Sequence, residues 1–321
     1  MAGAPATKVV VYAALAGNGA VAVVKFIAFL WTGSSAMLSE AIHSSVDTAD
    51  QALMLYGLKR AQRAPDSDHP LGYGRELYFW SFTVALLIFT LGAGLTVYEG
   101  VQHVMAPEPI SDVMVSYIVY GCAAIFEGIS WSFAFREFRK AKGELGYFEA
   151  VRKSKDPPTF IVLFEDSAAL AGLAIAAGGT FLAEQFALPV LDGVASIGIG
   201  LVLGATALVL TRESKGLLIG EPASPDLRDA VMRTARETDG IERAQIVFSV
   251  HMAPEQVVVA LSLEFRDDMM ADEIEATVDQ LESRIQERHP DVIAIFVKPE
   301  HRSDPITLPG RFPGRIRRKT T

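Results

Sequence analysis

Glu40, His43, Asp47 and Asp50 stand within twelve residues, SEAIHSSVDTAD (39–50). Intervals of three, four and three residues put all four on one face of a helix. A histidine followed four residues later by an aspartate can bring an imidazole nitrogen and a carboxylate oxygen onto one divalent cation. The segment around them otherwise has the length and composition of a membrane span. Counted from Ser35 at about 1.5 Å per residue, His43 and Asp47 fall roughly 12–18 Å into a hydrocarbon layer about 30 Å thick. Ionisable groups at that depth are costly and must face a bundle interior or a water-filled cavity. A polar contact between helices accounts for one such residue, but an aligned stripe of four points to a site. A second acidic stretch, TFIVLFEDSAALAGLAIAAGG (159–179), sets Glu165 and Asp166 among apolar and small residues. Neighbouring helical positions diverge by about 100°, so only one of the two is expected to face the first stretch directly. Ala168, Ala169, Ala171, Gly172 and Ala174 leave room for another backbone, and close packing of the two segments is expected to bring Asp166 to His43 and Asp47.

The elements that must position these residues are membrane helices. Half of the 321 residues are hydrophobic and the mean hydropathy is +0.28, values typical of a polytopic membrane protein. Apolar runs of spanning length, about 20 residues, occur near 9–31, 35–58, 77–103, 112–135, 159–183 and 189–211, which predicts six spans. The first run is too long for a signal-peptide core and reads as a retained helix. The connections near 32–34, 104–111 and 184–188 carry no Lys or Arg, whereas 59–75 and 136–155 are rich in them. The positive-inside rule then puts both termini in the cytoplasm. A single cysteine, Cys122, excludes an intramolecular disulfide and a cysteine-rich zinc cluster, and its apolar setting reads as burial.

After TRESKGLLIG (211–220) the composition changes. Residues 221–299 hold 17 acidic and 8 basic residues, an excess as large as the whole chain's −9. Helix signals in PASPDLRDAVMRTARETDG, a strand pair in AQIVFSVHM and QVVVALSLEF, a helix near 270–288 and a last strand DVIAIFV predict a water-facing α-β-β-α-β domain. The expected fold class is an all-α six-helix transmembrane bundle (1–215) plus a small α+β cytoplasmic domain of ferredoxin or metallochaperone type (216–300). The tail 301–321 is basic and reads as disordered or lying on anionic lipid.

The chain resembles the cation diffusion facilitator family, whose members export divalent metal from the cytoplasm in exchange for protons. The resemblance rests on SEAIHSSVD, on DSDHPLGYGRE (66–76), on the acidic residue with small partners in the fifth span, and on the α-β-β-α-β order. FEDSAALAG looks like the branch related to the mitochondrial or nuclear-receptor-coactivator-like zinc transporters. The resemblance implies a transport site of two residues four apart on each of the second and fifth spans. Carried over, these are His43, Asp47 and Asp166, with Val162 at the remaining position. Valine cannot coordinate, so water or Glu165 is expected to complete the site. The transported ion implied is Zn2+; a set richer in carboxylate than in imidazole makes Mn2+ and Fe2+ rivals, and Co2+ and Cd2+ fit the same site. No resident cofactor is expected.

Other positions depart from the family. Some relatives carry an accessory metal site after the second span; Asp66 and His69 match it, but the third ligand falls on Tyr73, and a structural role for the pair is the reading taken. Positions comparable to the zinc ligands of the soluble domain hold Gln245, Ser262 and Val297, so no binuclear zinc cluster is expected there. His251, His289 and His301 read as ordinary surface histidines. The resemblance implies a homodimer through both domains, in a lipid bilayer and without nucleic acid. With no transit peptide evident, a bacterial inner membrane is the expected location. Glu40 and Asp50 are assigned to the entrances or a proton relay, or else to hydrogen bonds with a neighbouring helix. Lys25, Glu99, His103 and Asp192 lie near span ends, where snorkelling explains them; Glu127 lies deeper. An imidazole must shed its proton to bind metal, so protons and metal compete at one site, which is the physical basis of antiport. A channel and a non-transporting scaffold are the rival readings. No nucleophile, phosphate loop or dinucleotide signature supports an enzyme.

Overall fold

A computed structural model describes residues 4–32, 35–107 and 113–300. The tail 301–321, with His301, lies outside the described residues. The chain divides into two compact units, Met1–Ile219 and Gly220–Thr321.

The first unit is helical: α1 (Ala4–Thr32), α2 (Ser35–Ala61), α3 (Glu76–Leu87), a π-helical segment (Ile88–Ala93), α4 (Gly94–Met105), α5 (Val113–Lys142), α6 (Tyr147–Lys153), α7 (Pro157–Phe186) and α8 (Val190–Ile219). Five helical segments among the described residues are long and apolar enough to cross a membrane: Thr7–Trp31, Glu76–Met105, Val113–Lys142, Pro157–Phe186 and Val190–Ile219. With 27 residues, α2 is long enough to cross, but its polar stripe keeps it below the apolarity of the others. Local chemistry sets several ends. Pro157 and Pro158 start α7, where a missing amide hydrogen costs nothing. Ala187 in the left-handed region ends it, two residues before Pro189. Within the third apolar run the backbone loosens into one wider turn at Ile88–Ala93, flanked by Gly94.

Apolar side chains are buried most tightly where α2 ends, α3 and α7 begin and α8 ends, around Met54, Tyr78, Phe160, Ile161, Leu210 and Leu217. Elsewhere the helices approach through glycine. A Cβ placed on Gly193 of α8 would stand 2.8 Å from the Val104 amide nitrogen and 2.9 Å from the Gly100 carbonyl oxygen of α4, and one on Gly100 would stand 2.8 Å from the Ile197 amide nitrogen. Backbone cannot retreat as a flexible side chain can. Gly193→Ala is therefore expected to cost about 1–3 kcal/mol in thermal unfolding in detergent, the usual penalty of overpacking. Gly121→Ala, at a position with nothing within 4 Å, is expected to be neutral or stabilising because alanine is the better helix former. Equal effects at both positions would contradict the packing argument.

Small residues of the fifth apolar run were expected to receive the second. Instead Gly172 and Gly179 face α8, meeting Ile199 and Ala195, while α7 packs on α5 and α8 and makes almost no close backbone contact with α2. Glycine rows attract the helix that can bring its own backbone close, and α8, with Gly193, Gly198 and Gly200, is such a helix. Cys122 is half-buried rather than buried.

The second unit is α9 (Pro225–Arg236), β1 (Ile241–Ala253), β2 (Gln256–Phe265), α10 (Ala271–Arg288) and β3 (Val292–Pro299). The sheet order is β1-β2-β3, antiparallel between β1 and β2 and parallel between β2 and β3. Alternate residues of the central strand, Val257, Val259, Leu261 and Leu263, pack against Val231 and Ala235 of α9 and Leu281 and Ile285 of α10. Ser224 caps α9 by accepting from the Leu227 amide. His251 is buried, 6% exposed, and not a surface residue: it lies near the end of β1, where its backbone amide donates to the Glu221 carbonyl at 2.9 Å.

Candidate metal centre

Small hydroxyls on α2 are satisfied within the helix: Ser45 Oγ donates to the Ala41 carbonyl and Thr48 Oγ1 to the Ser44 carbonyl, both at 2.8 Å. The groups left to act across helices are ionisable or amide. His43 and Asp47 are both half-buried on α2. Glu40, one turn before His43, receives Lys25 Nζ of α1 at 2.7 Å. Lys25 is 8% exposed and pairs with this carboxylate across the two helices.

The two acidic residues of α7 face different helices. Glu165 Oε2 accepts from Gln51 Nε2 of α2 at 2.7 Å, whereas Asp166 Oδ2 accepts from Ser130 Oγ of α5 at 2.6 Å. The residue that touches the second apolar stretch is thus Glu165, not Asp166, because a long glutamine can span a gap that the backbones leave open. Glu127, one turn before Ser130, lies within electrostatic reach of Asp166, Asp47 and Lys25. Val162, on the turn before Asp166, is fully buried in the apolar cluster. Gln51 and Ser130 were not singled out from sequence, being uncharged. Their signal was positional: Gln51 follows Asp47 by four, and Ser130 follows Glu127 by three.

Acidic groups of three helices therefore converge on one region, but in this conformation no three His, Cys, Asp or Glu side chains close to metal-ligating geometry among the described residues. Among the described residues several oxygens there have no hydrogen-bond partner: Asp166 Oδ1, Glu165 Oε1, Gln51 Oε1 and both oxygens of Asp50. Buried polar atoms without a protein partner are uncommon and are places where water or an ion can bind.

Farther along, His103 Nδ1 of α4 lies 3.5 Å from Asp192 Oδ2 of α8, and Thr180 of α7 links Asp192 to Tyr120 of α5, at 3.5 and 3.4 Å. These residues pair across helices, which single-residue snorkelling did not foresee.

Asp66 and His69 form a turn rather than an open ligand pair. Asp66 Oδ1 accepts from the amides of Asp68 at 3.0 Å and His69 at 2.8 Å, and Oδ2 from the Tyr73 hydroxyl at 2.6 Å. The His69 ring lies against Tyr73, centroids 4.2 Å apart, and Gly72 supplies the positive φ of 78° that the turn needs. The Tyr73 hydroxyl, with the His69 amide, holds the Asp66 carboxyl below its ordinary range. A carboxyl held low contributes stability that is present above its unfolded pKa and is lost as pH falls through the folded value. Tyr73→Phe is expected to move the Asp66 midpoint up towards the ordinary carboxylate range in an NMR titration of the labelled side chain; an unmoved midpoint would contradict the assignment.

Residues 11–219 match the cation efflux transmembrane domain. The chain belongs to the cation efflux family. Among similar proteins, the proton-coupled zinc antiporter SLC30A9, mitochondrial, of Xenopus laevis is 36% identical over 245 residues, covering 75% of this chain and 43% of its own length. Metal tolerance protein C4 of Arabidopsis thaliana is 32% identical over 243 residues, 75% of this chain and 53% of its own. The manganese efflux system protein MneS of Bacillus subtilis is 23% identical over 261 residues, 80% and 82%. This cation efflux chain thus spans less than half the length of the Xenopus protein. The match to SLC30A9 agrees with the branch that FEDSAALAG suggested. As a cation efflux protein it is a multi-pass membrane protein of a transporter family and not an enzyme.

Proposed function

We propose that the chain exports a divalent cation, Zn2+, from the cytoplasm in exchange for protons by alternating access, with His43, Asp47 and Asp166 as ligands and Glu165 beside them. The observation that carries this reading is the α2 stripe: a helix of spanning length, set among five more apolar ones, whose Asp47, four residues after His43, lies within electrostatic reach of Glu165 and Asp166 of α7. In the proposed cycle the ionised carboxylates and neutral imidazole take the cation, a rearrangement of the helices exposes it on the other side, and protons replace it. Capture requires the ligands to draw together from their present spacing. SLC30A9, named a proton-coupled zinc antiporter, supports Zn2+; the carboxylate-rich set and the name of MneS favour Mn2+ or Fe2+ as the second reading.

Within the same reading α2 is the second of six spans, both termini are cytoplasmic, and the chain is organised as a transmembrane domain (1–215), a ferredoxin-like cytoplasmic domain (216–300) and a basic tail. The protein works as a homodimer through both domains. The compartment proposed is a bacterial inner membrane. Reconstituted proteoliposomes test the function: the expected result is uptake of Zn2+ driven by an imposed pH gradient. Absence of flux for zinc, manganese, iron, cobalt and cadmium alike would refute transport, and flux indifferent to the gradient would identify a channel.

A further inference from the structure

The carboxylates of α2 and α7 are not all consumed by that site. Asp50 is 1% exposed and neither of its oxygens has a hydrogen-bond partner among the described residues. Its neighbour Gln51 is fully buried; it donates to Glu165 Oε2 at 2.7 Å while its own Oε1 is open. Glu165, 7% exposed, keeps Oε1 open and lies within electrostatic reach of Asp50. Buried on two helices, Gln51 and Glu165 are hydrogen bonded to each other, and Asp50, which leaves α2 about 100° from Gln51, is within electrostatic reach of the same Glu165. They sit about one turn beyond Asp47 on α2, between the His43–Asp47 level and the apolar cluster of Met54, Ile161 and Val162. Burying an open carboxylate costs several kcal/mol unless a cation or a donor compensates.

We propose that Asp50, Gln51 and Glu165 form a second divalent-cation station, one helical turn along α2 from His43 and Asp47. Two carboxylates and an amide oxygen make a hard, all-oxygen set, which suits Mn2+ better than an imidazole-containing site does. Gln51 has two parts to play. Its amide nitrogen holds Glu165 towards α2, and rotation of the amide would present its oxygen to the ion in place of the nitrogen. The station deepens the transport reading, on which it rests for its role: a cation would pass between two sites of different hardness.

The probe is Mn2+ alone, its free concentration followed by electron paramagnetic resonance, with the full chain in detergent. His43→Ala is expected to retain one Mn2+ site. Adding Asp50→Asn, which keeps the shape of the side chain, is expected to abolish it, and Gln51→Met is expected to weaken it by about 10–100-fold, the usual cost of losing a supporting ligand. Gln51→Glu, which keeps an oxygen in place, is expected to restore binding. Should Asp50→Asn fail to fold, the contrast between Gln51→Met and Gln51→Glu decides. Mn2+ binding indifferent to position 51 and to Asp50→Asn, or no Mn2+ bound by the His43→Ala protein, overturns the station. Mn2+ binding through Asp50 in a chain without pH-driven flux keeps the station and removes the antiporter; flux with binding independent of Asp50 does the reverse.

Discussion

Proteoliposomes carrying Asp47→Ala are expected to lose pH-driven Zn2+ uptake by more than about 100-fold, beyond what removal of a merely supporting group costs a metal site. Asp47 occupies the position four residues after His43, from which a carboxylate and an imidazole can share one ion, and it lies within electrostatic reach of Lys25, Glu127, Glu165 and Asp166. In the proposed site its loss removes a ligand and, with it, a charge that offsets the incoming cation. Alanine is the strongest helix former, so α2 is expected to persist, and a normal elution profile separates loss of chemistry from loss of fold. Asp47→Glu, which keeps the charge but lengthens the arm, is expected to retain part of the flux. Undiminished uptake by Asp47→Ala would remove this residue from the pathway.

Lys25→Met is expected to destabilise the protein by about 1 kcal/mol, the upper end for an ion pair with one accessible partner. The cost of a fully buried pair does not apply because Lys25 is enclosed but Glu40 keeps about half of its side chain, 51%, uncovered by protein. The measurement is thermal unfolding in detergent. The double variant Lys25→Met/Glu40→Gln is expected to regain most of the loss, since it strands no charge. If the double variant is as unstable as the single, the cost lies in packing around the lysine stem rather than in the orphaned carboxylate.

The helical half of the chain was readable from hydropathy, and the stripe on α2 from spacing, because both are periodic properties of short segments. What could not be read was which faces meet. Glu165 and Asp166 are adjacent, and their sequence says that they diverge but not which one α2 receives; Gln51 decides it, as a neutral amide inconspicuous beside three carboxylates. The small residues of α7 were legible as a close-packing face, but α8 offers glycines of its own and takes it. Lys25 and Glu40 stand 15 residues apart on consecutive helices, a separation at which no helical period flags a pair. The turn at Asp66 had the opposite character: Asp, Gly and Tyr within eight residues carry their own hydrogen-bonding logic, so its structural reading needed only local chemistry.

The contact of Gly100 with Gly193 also bears on how the protein is made. Synthesis runs from the N-terminus, and roughly ninety residues separate the two glycines, some 5–20 s of elongation at typical rates. During that interval α4 is already available to the membrane while the backbone of Gly193 and Ile197 that meets its Gly100 surface has yet to be made. A groove lined by backbone is then open to lipid chains, which must leave when α8 arrives. Late insertion of α8 is thus a closing step in assembly, and a chain cut after Phe186 stops before it.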